Sequence, residues 1–326
     1  MIYEGKPMLC PFCELRESDS DDHVFPQFLG GGTAIRACSN CNNTFGHTIE
    51  AAASRHFAEW MFILRRCGMK PPRPHIWKRI GPDASGQYFD IDQDFVATRS
   101  EPQITRDSKG NAIGFNWSPE KLAKIIKNLQ SEGRTVRIVR GEKIRMDLRQ
   151  IRLQHPMDDD IKRLCIKVSL GCTEYFGLPN PLDQVSKDYL SSKIEPGSRF
   201  NPVQISHLHY QDVDKFRPPV GHLIYVRADS TTRKVWSVVQ FFSAQQFFCT
   251  LNNNWDGVDF SILGTHDPVT HLEEFKRVDP FNLQPPPMYV QPDFFRHCMQ
   301  ARLERLRQEL VDLYGDQAPR SLRVNL

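Results

Sequence analysis

The chain has 326 residues, 25% of them charged and 40% hydrophobic, with a formal net charge of +3. A chain this long can bury a sizeable core, which argues against disorder and for two or three folded units. The small net charge implies no nucleic-acid partner by itself, and no apolar run reaches membrane-spanning length.

The first six residues, Met1-Ile2-Tyr3-Glu4-Gly5-Lys6, form no apolar signal-peptide core, so a cytoplasmic location is expected. In a reducing compartment the nine cysteines then need a role other than disulfides. Four fall in two close pairs, Cys10-Pro11-Phe12-Cys13 and Cys38-Ser39-Asn40-Cys41. A two-residue gap lets both thiolates of a pair reach one tetrahedral ion, and two pairs complete a four-thiolate structural zinc site. Cys67, Cys165, Cys172, Cys249 and Cys298 stand in apolar surroundings and read as buried small hydrophobes.

After the second pair, Ile49, Ala53, Phe57, Trp60, Met61 and Leu64 recur at helical spacing. Gly68 is expected to stop that helix, and the proline-rich stretch 70–74 reads as a stiff linker. Residues 1–70 are thus expected to form one module and 75–326 an accessory or targeting domain, with a sub-boundary near 155. Within the latter, 107–111 reads as a hairpin turn, Ser118 and Pro119 open a helix that Gly133 ends, and 135–139 reads as a strand. An amphipathic helix is expected from about 158, with Ile161, Leu164, Cys165, Val168, Cys172 and Phe176 on one face and Gly177 as its stop. Stretches 222–228, 234–242 and 247–251 are β-branched or aromatic runs between turn residues, and read as consecutive antiparallel strands. A terminal helix spans about 292–314. His207 and His209 alternate along a probable strand and read as exposed histidines. No glycine-rich phosphate loop is present, which excludes an ATP-driven step of that type.

Between the cysteine pairs runs Asp21-Asp22-His23-Val24-Phe25-Pro26-Gln27-Phe28-Leu29-Gly30-Gly31-Gly32, and the second pair continues into Asn42-Asn43-Thr44-Phe45-Gly46-His47. An inert zinc ribbon needs neither an acid-histidine pair between its knuckles nor an asparagine directly after its last cysteine. These residues resemble the HNH endonuclease family, the ββα-metal nucleases, over residues 10 to about 50. The resemblance implies an α+β protein: a small zinc-bound ββα-metal module, HNH or treble-clef-like, followed by a larger mixed α+β domain with antiparallel strands. It also implies a metal-dependent DNA endonuclease, of a kind found in bacterial defence and mobile elements. Asp22 and Asn42 match the ligands of a catalytic Mg²⁺ or Mn²⁺ ion, while Cys10, Cys13, Cys38 and Cys41 hold the structural Zn²⁺. His23 matches the general base, for which an imidazole that ionises near neutrality is suited.

Two departures limit the match. The stretch 33–37 lacks the asparagine often found in the family's loop, and Gly46 stands where a histidine often supplies a third ligand. His47 is one residue late, about a hundred degrees around the helix, and is read as a substrate contact or a group supporting the ligands, not as a ligand. Arg36, Arg55, Arg65 and Arg66 are expected to contact substrate as part of a basic run that includes Lys70, Arg73, Lys78 and Arg79. A second basic run spans 134–152, with the solvated-face reading favoured there. DNA is the expected partner, with RNA open; a homodimer would place two centres on two strands, and a regulatory protein partner is the other arrangement considered. The competing reading is a non-catalytic zinc module that binds nucleic acid.

Overall fold

The computed structural model describes residues 8–66, 77–80, 88–91, 96–101, 103–110, 112–116, 119–136, 144–145, 150–154, 159–193, 202–206, 210–283, 285–286, 292–315 and 321–325. The chain divides into two compact units, Met1–Lys70 with Arg149–Leu326, and Pro71–Leu148. Together they are mixed helix and antiparallel sheet, in agreement with the expected class.

The first unit begins with a hairpin, β1 (Ser20–His23) on β2 (Ala34–Ala37), in antiparallel register from Ser20 opposite Ala37 to His23 opposite Ala34. Pleating sends Asp22 inward and leaves Asp21 exposed. Helix α1 (Ser39–Phe45) follows directly, capped by the Cys38 sulfur, which accepts from Cys41 N. A π-helical turn, Gly46–Glu50, joins it to α2 (Ala51–His56), and Phe57 breaks the path before α3 (Ala58–Arg66). The single helix expected across Ile49 to Leu64 is therefore divided, although its apolar face, Ile49, Ala53, Phe57, Trp60, Met61 and Leu64, is buried as the spacing predicts.

The second unit carries β3 (Trp77–Ile80), β4 (Phe89–Ile91), β5 (Val96–Arg99), β6 (Gln103–Arg106), β7 (Ala112–Asn116), α4 (Pro119–Ser131) and β8 (Ile144–Arg145). The turn predicted at 107–111 joins β6 to β7: Lys109 N donates to Asp107 Oδ1, and Gly110 adopts φ +80. Gly133 follows α4 in the left-handed region, as a helix stop should. The strand expected at 135–139 falls mostly outside the described residues, as do Gly68, the 70–74 linker, Cys67, His207 and His209.

The first unit resumes with β9 (Gln150–Gln154), α5 (Asp159–Tyr175), α6 (Gln184–Leu190), β10 (Val203–Ile205) and α7 (Gln211–Asp214). Strands β11 (His222–Asp229), β12 (Lys234–Phe241), β13 (Gln245–Asn252), β14 (Phe260–Asp267) and β15 (Leu272–Arg277) build an antiparallel sheet in the order β10-β13-β12-β11-β14-β15. Helix α8 (Pro292–Tyr314) and β16 (Ser321–Asn325) complete the unit, and β16 pairs with β9 in parallel. The three strands read from apolar runs are thus present.

Strand alternation gives the sheet two apolar faces. Leu223, Tyr225, Val238, Phe248 and Leu263 form one cluster with Tyr210 and Val213. The opposite face meets α5, where Ser169 Oγ lies 2.7 Å from Ser237 Oγ. The amphipathic reading of α5 is too narrow: Ile166, Lys167, Leu170 and Gly171 are buried as well as Ile161, Leu164, Cys165, Val168 and Cys172 of the predicted face, while Phe176 lies beyond the helix and is half-buried. The helix is enclosed because the sheet covers one side and the hairpin and π-turn cover another. A Cβ at Gly171 would lie 3.3 Å from Ile35 Cδ1 and 3.4 Å from Val24 Cα, so glycine permits the close approach of helix to hairpin. Cys165, Cys172 and Cys249 are buried and Cys298 half-buried. Among the described residues, no helix is long and apolar enough to cross a membrane.

Candidate active site

Cys10, Cys13, Cys38 and Cys41 come together, with their four sulfurs within 4.8 Å of one another. The Cys13 and Cys38 sulfurs are 3.9 Å apart, close to the ~3.8 Å that tetrahedral ligation at a Zn–S length of about 2.3 Å requires. A hydrogen bond from Cys41, joined by backbone N–H groups, lowers the Cys10 thiol pKa strongly. Its bond to Cys10 and its burial drive the Cys41 thiol upward, and burial raises that of Cys38. One thiolate is therefore accommodated and a second is opposed. Four thiolates side by side need a cation, and the cluster fits zinc.

This frame fixes both ends of the hairpin. Ser39 N donates to Asp19 Oδ1 at 2.6 Å, and the Asn42 amide donates to Ser20 Oγ at 2.8 Å and to Asp21 O at 2.7 Å. Ser20 and Asp22 share one face of β1, so Asn42 meets the strand on the face that carries Asp22. His23 ends the strand on the other face, half-buried, with its Nε2 3.2 Å from the Gln27 amide nitrogen.

Asp22 is 3% exposed. Its Oδ1 accepts from His23 N at 2.7 Å and from Lys167 Nζ at 2.8 Å. Its Oδ2 is buried without a hydrogen-bond partner among the described residues. An unfilled carboxylate oxygen is a hard donor of the kind that Mg²⁺ and Mn²⁺ take.

The remaining predicted residues are dispersed. Arg36 is engaged by Asp21 Oδ1 at 2.7 Å and by the Ser18 carbonyl at 2.9 Å. His47 and Arg55 are exposed, Arg65 is half-buried with its pKa lowered by desolvation, and Arg66 lies in the last turn of α3.

Sequence reasoning missed three groups that reach the hairpin from far along the chain. Lys167 comes from α5. Glu273, from β15, accepts from Gly32 N at 3.2 Å and Thr33 N at 2.6 Å. His266, from β14, has its Nε2 3.1 Å from Leu29 O and its ring stacked 5.7 Å from that of Phe25. One signal was present for Lys167: Ile166 and Leu170 lie off the predicted face, and a helix apolar on several sides is a buried one.

His222 packs against His266 with ring centroids 5.5 Å apart. Burial lowers the pKa of His222 far below its ordinary 6.5, with the neighbouring ring contributing, and burial lowers that of His266 despite Glu273. The His222 ring stays neutral in the fold and that of His266 resists protonation, whereas the unfolded chain takes up protons on both below pH 6.5. The unfolded state then binds more protons, so stability falls as pH drops below that value, by up to about 1.4 kcal/mol per pH unit per ring. Urea unfolding at pH 7.5 and 5.5 should show this loss, and His222→Gln should flatten it; an unchanged slope in the variant refutes the assignment.

Four thiols pinning a hairpin and the helix that follows define a zinc-framed ββα module. Residues 10–58 match the family model described as HNH endonuclease. At the family level that similarity, confined to residues 10–58, points to a nuclease-type hydrolase acting on nucleic acid. No curated protein and no solved structure matches the chain.

Proposed function

We propose that the chain is a divalent-metal-dependent DNA endonuclease that leaves a 5′-phosphate and a 3′-hydroxyl. The observation that carries this reading is the family match over 10–58, which spans the cysteine frame, the Asp22-His23 hairpin and Asn42 together. His23 takes the proton of the attacking water, and Gln27 orients its ring. Asp22 and Asn42 would hold the Mg²⁺ or Mn²⁺ ion, which would supply positive charge against that developing on the scissile phosphate and the departing 3′ oxygen. Exposed His47 and Arg55, with Arg65 and Arg66 on the next helix, track the phosphate backbone; Arg36 serves there after exchanging Asp21 for phosphate. Residues 1–70 are the cutting module, and 75–326 position or sense the target in a defence or mobile-element setting.

The test is cleavage of supercoiled plasmid with Mg²⁺ or Mn²⁺ by the full chain and by His23→Ala, with zinc content matched. The variant should be slower by about 10²- to 10⁴-fold. Equal rates, or no cleavage with either ion, sink the catalytic reading; preferential cutting of an RNA of the same sequence reassigns the substrate. One observation favours a second reading, a non-catalytic zinc module that binds nucleic acid: Lys167 already pairs with Asp22. Binding of the same plasmid without cleavage is the outcome that reading requires.

A further inference from the structure

Three separated stretches of chain meet at one buried ammonium. Lys167 Nζ lies 2.8 Å from Asp22 Oδ1 and 2.8 Å from Glu50 Oε1, with the Lys167 side chain 1% exposed. The Phe12 ring, beside the zinc frame, covers it at 5.7 Å. Desolvating an ammonium costs several kcal/mol, which only paired charges in good geometry offset. Here one cation faces two acids, and Asp22 Oδ2 still has no partner among the described residues. A buried carboxylate oxygen left unfilled is costly, so the cluster lacks positive charge on the Asp22 side.

Glu50 ends the π-helical turn that follows α1. It bonds to Lys167.

We propose that Lys167 is a positioning residue that sets the metal affinity of Asp22. Its ammonium holds Oδ1, so that the carboxylate presents Oδ2, and its charge competes with a divalent ion for the same acid. Glu50 moderates that competition by sharing the ammonium. The proposal rests on the reading of Asp22 as a ligand of the catalytic ion. It demands opposite effects from two residues bonded to one nitrogen. Removing Lys167 leaves two acids uncompensated and tightens binding; removing the Glu50 charge leaves the whole ammonium on Asp22 and weakens it. A merely structural cluster would weaken binding in both cases.

The experiment is Mn²⁺ titration of the zinc-loaded full chain, followed by loss of the free-ion electron paramagnetic resonance signal. Asp22→Asn should abolish Mn²⁺ binding, Glu50→Gln should weaken it about tenfold, and Lys167→Met should tighten it about tenfold. The double variant should return close to the parent. Shifts of the same sign for Glu50→Gln and Lys167→Met, or no shift in either, overturn the proposal while leaving Asp22 a ligand if Asp22→Asn still abolishes binding. Retained binding in Asp22→Asn, or no binding by the parent chain, overturns the reading of Asp22 itself. Should Lys167→Met not fold, as judged by zinc content and circular dichroism, Glu50→Gln and its double variant carry the test: the second must bind more tightly than the first. Should that double variant also fail to fold, Glu50→Gln decides alone, and unchanged or tighter binding overturns the proposal.

Discussion

Stripping the zinc, by chelator or by Cys41→Ser, is expected to unfold residues 8–66. Zinc held by four thiolates supplies on the order of 10 kcal/mol or more of folding free energy, comparable with the entire stability of an ordinary domain. The hairpin is too short to hold itself, and its inner residues Val24 and Ile35 depend on the frame to stay against α5. The loss should reach the neighbouring sheet through Trp60, whose ring stacks on Phe242 at 5.2 Å. Hydrogen exchange should report lost protection through β1, β2 and α1 to α3, with β11 to β13 retaining more, because their second face keeps the Tyr225 and Phe248 cluster. Identical exchange with and without zinc would refute the assignment of the four cysteines.

Glu273→Ala should cost about 3 kcal/mol, although Glu273 lies 240 residues beyond the loop it grips. Its carboxylate accepts two backbone N–H groups, from Gly32 and Thr33, and lies 3.6 Å from His266 Nδ1. Charged acceptors contribute about 1.5–3 kcal/mol per hydrogen bond, and losing one leaves its donors unsatisfied. Gly32 and Thr33 belong to the connection between His23 and β2, so the variant should also slow cleavage at unchanged zinc content. Glu273→Gln, which keeps an acceptor oxygen, should lie between. A denaturation midpoint unchanged in Glu273→Ala would show that the loop holds its shape unaided.

These two effects separate what was legible in the sequence from what was not. The cysteine pairs are readable because metal ligation imposes a spacing within a few residues. Strands β11 to β13 are readable because β-branched and aromatic side chains cluster between turns, and α8 because Arg and Glu residues interleave along it. The partners of the hairpin are not readable. Lys167 and Glu273 reach it across 145 and 240 residues, and nothing near either position in the chain signals its destination. The local break at Phe57 also escaped, since an apolar stripe at helical spacing survives a kink between two helices that keep burying the same face. Asp22 shows the limit most clearly: alternation fixed which way it points, but not that a lysine waits there.

The same discontinuity has a temporal consequence during synthesis. The cysteine frame, the hairpin and Glu50 leave the ribosome long before Lys167, and Glu273 follows later still. At about 5–20 residues per second, the interval between α3 and β15 lasts on the order of tens of seconds. Until α5 emerges, about midway through it, the two acids lack their ammonium, and throughout it the glycine loop lacks its anchor. A nascent chain therefore carries the whole recognisable nuclease motif yet none of the remote supports that shape it. A product truncated before α5 would carry the motif in the same incomplete state.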